Sequence, residues 1–430
     1  MGPSECRDRT SGGCQLHPSG VGSTVGSRVS QNRAELEEQP MKRSRIVLLA
    51  VSAAIVILLA GGSVALRVGA ADGAYGEVIL FSELLSLISD NYVDPVDSDT
   101  LLRDAYQGML SSLDANGAYL SPDEVREWKK GRVGAAADPG LSVVKTTGSF
   151  QVVFVAPDSP AADAGMTPGD QIRKIDGRAA RGLSLEQARR LIRGEPGTSV
   201  HLEVLHPDRS WSHEDLDLAR VKRDFPAYDL EVRHGTAVLT VFDLGRVTPS
   251  RVAGELDALE SRHVERLMLD LRNVSDGDPR DALALLELFA SAPVLVLKNR
   301  DGSPVETIQG KPDRVAWSGS LAALVNGATA GGAEAIAQFV RSDLDAEVYG
   351  EVTYGLGSEP RLFELEGGSG LLVSTSLWTV KSGETWNDTG VEPDHTVHGQ
   401  GDAADAFEDQ LRRALESFSA AGVQAVREAA

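Results

Sequence analysis

Chemistry at a peptide carbonyl needs a nucleophile, a base within hydrogen-bond reach, and N–H donors for the oxyanion. Few residues of this chain could supply them. Thr329 and Ser358 are hydroxyl candidates. They lie in or beside two glycine-rich segments, Val325-Asn326-Gly327-Ala328-Thr329-Ala330-Gly331-Gly332-Ala333-Glu334 and Gly350-Glu351-Val352-Thr353-Tyr354-Gly355-Leu356-Gly357. Each hydroxyl would need a partner to take its proton. Neither segment contains a lysine, and Lys381 is the nearest one downstream. His395 follows Asp394, but a His-Asp dipeptide alone is a weak signal for a triad. The only cysteines are Cys6 and Cys14, so nothing from residue 15 onward can form a disulfide or thiol site. Zinc spacings such as C-x-x-C are lacking. No metal and no cofactor is expected.

The chain has 430 residues and a formal net charge of -21, enough for two to three domains. So acidic a balance argues against nucleic-acid binding, which needs clustered Lys and Arg. Residues 1–40 are polar and aperiodic, and read as a disordered tail or a start placed too early. Residues 41–70 read as a signal anchor or transmembrane helix. Within them 46–66 is an uncharged run of 21 residues preceded by Lys42, Arg43 and Arg45, long enough to span a bilayer with the N-terminus inside. Met41-Lys42-Arg43 resembles a signal-sequence start, and Ser63-Val64-Ala65 a cleavage site. Anchored and exported forms are both open. Either places the rest of the chain outside the cytoplasmic membrane, on the periplasmic side.

Residues 76–138 read as a helical region. Leu80, Leu84, Leu85, Ile88 and Tyr92, then Leu102, Tyr106, Met109, Leu110 and Leu113, recur at helical spacing. Residues 139–207 alternate strand and turn signals around one helix, Leu185 to Ile192. Pro160 suits a helix start, Gly165 a helix exit and Asp176-Gly177 a tight hairpin. This spacing resembles a PDZ domain. The resemblance implies a peptide-binding loop at Gly140, Leu141, Ser142 and Val143, with Ser142 where a second glycine is usual. Such a loop holds a peptide C-terminus through backbone N–H groups. Residues 208–400 alternate strands and helices, including the buried-type strand 266–271. Residues 401–430 read as a C-terminal helix. The fold class is therefore mixed, α+β and α/β, and multidomain.

The two glycine-rich segments resemble the active-site blocks of the S41 family of carboxy-terminal processing peptidases, V-N-x-x-S-A-S-A-S-E and G-E-x-T-F-G-K-G. Leu113 to Pro122 resembles the L-D-P-H-S-x-Y-x-S/T-P element of that family, and Gly390-Val391-Glu392-Pro393-Asp394 its G-I-E-P-D. The resemblance covers about residues 76–400. It implies a ClpP/crotonase-like α/β core and a Ser/Lys dyad. The nucleophile position falls on Gly331 and the base position on Leu356. Where a supporting glutamine is expected stands Pro360. Where the family has N-N-P-G-G stands Asn273-Val274-Ser275-Asp276-Gly277. Gly277 and Gly332 are candidates for the backbone of the oxyanion site. Leucine has no lone pair and glycine no nucleophile. Loss of such a nucleophile costs on the order of a millionfold in rate.

The expectation is a catalytically inactive S41 homologue at the cell envelope. It would bind peptide or unfolded-protein C-termini, with an active S41 peptidase or envelope proteins as further partners. One alternative is an active serine-type endopeptidase with a non-standard site. The other is an envelope scaffold or signalling module.

Overall fold

The computed structural model describes residue 52 and residues 75–130, 137–222, 226–311, 315–400 and 403–429. The tail 1–40 and nearly all of the apolar run 46–66 lie outside the described residues. Among the described residues no helix is long and apolar enough to cross a membrane. The chain divides into two units, Met1–Leu84 and Leu85–Ala430. Helix α1 covers residues 75–91. Its apolar stripe forms as expected, yet Leu80, Leu84 and Ile88 are exposed. The second unit carries the elements that follow.

Helix α2 (Ser98–Ser111) is capped by Asp97, which accepts from the Thr100 N–H. Strand β1 (Ala118–Leu120) and helix α3 (Pro122–Lys129) come next. Ser121 and Glu124 close a capping box on α3, with Pro122 at its first turn. The region read as purely helical thus contains a strand. It belongs to the core, because β1 pairs antiparallel with residues 370–372.

The PDZ-like sheet runs β2 (Leu141–Thr146), β3 (Ser149–Val155), α4 (Pro160–Asp163), β4 (Gln171–Ile175), β5 (Arg178–Ala179), α5 (Leu185–Ile192), β6 (Ser199–His206) and β7 (Ser212–Ala219), with strand order β2-β3-β4-β6-β7. The unit is wider than 139–207. Strand β7 pairs along all of β6, and Asp138 bridges Val221. Asp176 (φ 49) and Gly177 (φ 76) form the expected β4–β5 hairpin with positive φ at both positions. Phe150, Ile172, Ile175, Leu185, Val200 and Leu202 fill its core.

The α/β core continues with β8 (Tyr228–Arg233), β9 (Thr236–Val241), α6 (Pro249–Glu260), β10 (Arg266–Asp270), α7 (Pro279–Leu286), β11 (Val294–Asn299), β12 (Pro304–Gln309), β13 (Ser320–Val325), α8 (Gly332–Asp343), β14 (Glu347–Gly350), β15 (Ser358–Glu364), β16 (Gly370–Val380), β17 (His395–Thr396) and α9 (Ala403–Ala429). The main sheet is β17-β14-β13-β10-β9-β8, parallel except for β8. The middle of strand β10, Leu267-Met268-Leu269, is apolar because both its faces are covered. Leu267 and Leu269 join the cluster under α6, α7 and α8, while Met268 packs with Leu411, Ala414 and Phe418 of α9. A second sheet, β1-β16-β11-β12 with β15 on β16, is antiparallel.

Candidate functional site

Three loops converge where β10 and β13 end and α8 begins. Two asparagines knit the first pair. Asn326 Nδ2 donates to Asn273 Oδ1 at 2.7 Å, and the Asn273 N–H returns a bond to Asn326 Oδ1. Thr329 is fully buried, and its hydroxyl donates to the Leu271 carbonyl at 2.9 Å. That proton is committed, so Thr329 is an anchor of the turn and not a free nucleophile. The Ala330 N–H donates to the Val274 carbonyl.

The chain then turns sharply at Gly331 (φ 61, ψ -116), the residue before α8. L side chains rarely adopt this conformation. A Cβ added at residue 331 would stand 2.9 Å from Gly277 O and 3.9 Å from Leu356 Cδ2. The two positions assigned to nucleophile and base therefore do meet, and their meeting is hydrocarbon against backbone. Leu356 is half-buried and packs against the PDZ-like core.

Glu334, on the first turn of α8, holds the second loop to the first. It is fully buried. Its carboxylate accepts from the N–H groups of Gly331 (2.9 Å), Gly355 (2.6 Å) and Leu356 (2.7 Å), and from the Thr353 hydroxyl. Burial pushes its carboxyl up to about 7, although all four of those bonds pull the other way. The Thr353 hydroxyl also accepts from the Val391 N–H at 2.7 Å, which ties in the Gly390-to-Asp394 segment.

One expectation needs correction at Gly332. Gly277 and Gly332 were the candidates for oxyanion donors. The Gly332 N–H instead donates to the Gly277 carbonyl at 3.0 Å. That donor is spent, and a carbonyl oxygen, an acceptor, faces residue 331. The loop around Gly277 is held from the PDZ-like side. Arg189 of α5 donates to the Ser275 carbonyl, and Arg193 donates to the Asp276 carboxylate.

The other candidates fall into structural roles. Ser358 is buried at the start of β15, where its hydroxyl accepts from Asn116 Nδ2 (3.1 Å) and from the Ser374 hydroxyl (2.9 Å). Pro360 sits in β15 opposite Ser374, at a register shift of the β15–β16 pair. Asp394 accepts from Arg341 Nε and the Val348 N–H, whereas His395 stacks on Tyr349 and pairs with Glu347, so the two neighbours form no dyad. Lys381 is exposed. Among the described residues no group of three metal-ligating side chains could hold a metal ion.

The segment Gly140 to Val143, for which the PDZ resemblance implies peptide binding, lies at the entry to β2. Gly140 (φ 85) makes the turn, and its N–H donates to Asp138 Oδ1. Ser142 lies within β2 and has no positive φ, so a second glycine is not required there. A Cβ at residue 140 would fall 2.3 Å from the Ser159 Cβ. Gly140→Ala is expected to cost about 3 kcal/mol, from left-handed strain plus overpacking. Urea unfolding measures it, and an unchanged midpoint would mean that the loop is not shaped as described. Sequence reading missed Asn116, Arg189, Arg193 and the hub role of Glu334. Arg189 lies on α5 and Arg193 just past its end, so no shared helix face marks them as a pair.

Residues 235–397 match the family model for peptidase family S41, and residues 151–205 match that for a PDZ domain. The carboxy-terminal processing protease CtpA of Bacillus subtilis (strain 168) is 24% identical over 355 residues, covering 81% of this chain and 75% of that protein. The "Probable CtpA-like serine protease" of Staphylococcus aureus (strain N315) is 27% identical over 318 residues, covering 72% of this chain. The chain spans 63% of that relative's length, just under two thirds. The solved photosystem II D1 C-terminal processing protease superposes with a TM-score of 0.56 at 22% identity, covering 74% of this chain and 92% of that one. At that identity the likeness concerns the fold. A PDZ-type segment followed by a peptidase-type α/β core, with these two family matches in that order, makes the chain similar to the CtpA-like proteins of peptidase family S41.

Proposed function

We propose that this S41 homologue is catalytically inactive and binds peptide C-termini or unstructured segments through its PDZ domain and the former substrate groove. The observation that carries the reading is the junction of Gly331 and Leu356. A Cβ at residue 331 lies 3.9 Å from a leucine methyl and 2.9 Å from a carbonyl oxygen, where a hydrolase needs a hydroxyl, a neutral amine and N–H donors. The surrounding frame is intact, which suits retained binding better than decay of the whole site. The uncharged run 46–66 with its basic flank supports a place at the cell envelope, outside the cytoplasmic membrane. An active S41 peptidase or another envelope protein would then be the recipient of what this chain captures.

One observation favours a working peptidase. Lys145 Nζ lies 3.4 Å from Ser111 Oγ, and burial lowers the lysine's pKa, with Asp114 opposing it. Against it, Ser111 ends α2, where carbonyls point outward and offer an oxyanion nothing. The test incubates the full chain with an unstructured, apolar-tailed reporter protein. Our reading expects the reporter to co-elute with the chain uncleaved. Cleavage abolished by Ser111→Ala would establish the alternative.

A further inference from the structure

The groove that should receive a peptide is already filled by the chain itself. Arg189 on helix α5 and Arg193, the extended residue just past its end, both meet Asp276 from the loop after β10. Arg193 donates to Asp276 Oδ2. Arg189 Nε lies 3.3 Å from Asp276 Oδ1, an ion pair without hydrogen-bond geometry. The three side chains are 14%, 26% and 17% exposed for Arg189, Arg193 and Asp276. Together with Leu141, Ser142 and Val143 they line a cavity of only about 10 Å³, room for at most a single water. A peptide adding along β2 must therefore move Asp276 aside. Doing so leaves two guanidinium groups side by side without their counter-charge, which is costly in a partly desolvated site. An apolar tail cannot repair that, whereas a carboxylate side chain can, through charge-assisted bonds of the kind Asp276 now makes.

We infer that Asp276 is an internal ligand of the PDZ groove, and that the external ligand is a peptide C-terminus bearing an Asp or Glu side chain that takes over Arg189 and Arg193. This rests on the peptide-capture reading above. It adds a ligand chemistry to that reading, and it gives the Asp at position 276 a role of its own.

The test measures binding of three fluorescent, unstructured decapeptides to the full chain by anisotropy. One has a glutamate next to its apolar C-terminal residue, the second has alanine in place of that glutamate, and the third is the glutamate peptide amidated at its C-terminus. The glutamate peptide is expected to bind on the order of tenfold tighter than the alanine peptide. Asp276→Ala should tighten it further, and Arg189→Gln/Arg193→Gln should abolish the preference. If Asp276→Ala does not fold, Asp276→Asn removes the same charge at constant volume. Equal binding of the glutamate and alanine peptides, unchanged by Asp276→Ala, would overturn the inference while leaving peptide capture standing. If no peptide binds even the folded Asp276→Ala chain, or if amidation changes nothing, the capture reading falls and takes the inference with it.

Discussion

Glu334→Ala is expected to destabilise the chain by about 5 kcal/mol, read as a fall in the urea midpoint at neutral pH. The carboxylate is fully buried and accepts from three backbone N–H groups, those of Gly331, Gly355 and Leu356, and from the Thr353 hydroxyl. Truncation leaves those donors buried and unpaired, at roughly 1–3 kcal/mol each. Glu334→Gln keeps the volume but turns an amide N–H toward one of the donors, and should cost about 2 kcal/mol. The same group predicts a pH dependence. Its carboxyl is pushed from an ordinary 4.5 up to about 7 by burial. Below 4.5 it is protonated in both folded and unfolded chains, and above 7 it is ionised in both. In between, the folded chain holds a proton that the unfolded chain has released. Stability therefore falls as pH rises across that window, by about 3 kcal/mol. Comparing unfolding of the parent and Glu334→Gln at several pH values isolates this slope. A parent and variant with parallel profiles would contradict the assignment.

Arg272→Ala is expected to cost about 3–5 kcal/mol and to loosen the C-terminal helix. The Arg272 side chain is fully buried against Asp270, donating to Oδ1 at 2.9 Å and Oδ2 at 2.6 Å. It also donates to the Phe407 carbonyl and to Gln410 Oε1, and it lies over the Phe407 ring. One residue thus joins the end of β10 to α9, whose Leu411, Ala414 and Phe418 cover one face of the main sheet. Removing the arginine leaves Asp270 as a buried, uncompensated charge. An apolar double replacement, Asp270→Leu with Arg272→Met, should recover most of the loss, since a buried pair is worth little more than well-packed hydrocarbon. Limited proteolysis within residues 403–429 reports on the helix separately from global unfolding. No change in either readout for Arg272→Ala would mean that α9 is held by its apolar face alone.

Local signals carried much of this fold. The β13-to-α8 turn, the buried strand β10 and the Asp176-Gly177 hairpin follow from patterns a few residues long. So does the encounter of positions 331 and 356, because each block fixes its own loop and the parallel pairing of β13 with β14 aligns them. What escaped reading depends on pairings between distant residues. Strand β1 looked like the end of a helical region because its partner, β16, lies some 250 residues away. Strand β15 carries a proline and a bulge, which blurs its alternation. The grip of Arg189 and Arg193 on the Ser275-Asp276 loop joins a PDZ helix to a core loop, and no local pattern announces such a pair. The oxyanion assignment failed at Gly332 for a related reason. The residue types at 277 and 332 permit donors, but the orientation of one peptide plane decides the matter, and here the Gly277 carbonyl takes the Gly332 N–H.

Cleavage of an unstructured, apolar-tailed reporter is the most direct test, with the purified full chain followed over hours beside the Gly331→Ser/Leu356→Lys double variant. The account predicts that the unmodified chain binds the reporter and leaves it whole, because no nucleophile or base stands at the junction of residues 331 and 356. Cleavage by the unmodified chain, at a rate that tracks its own concentration, would contradict it.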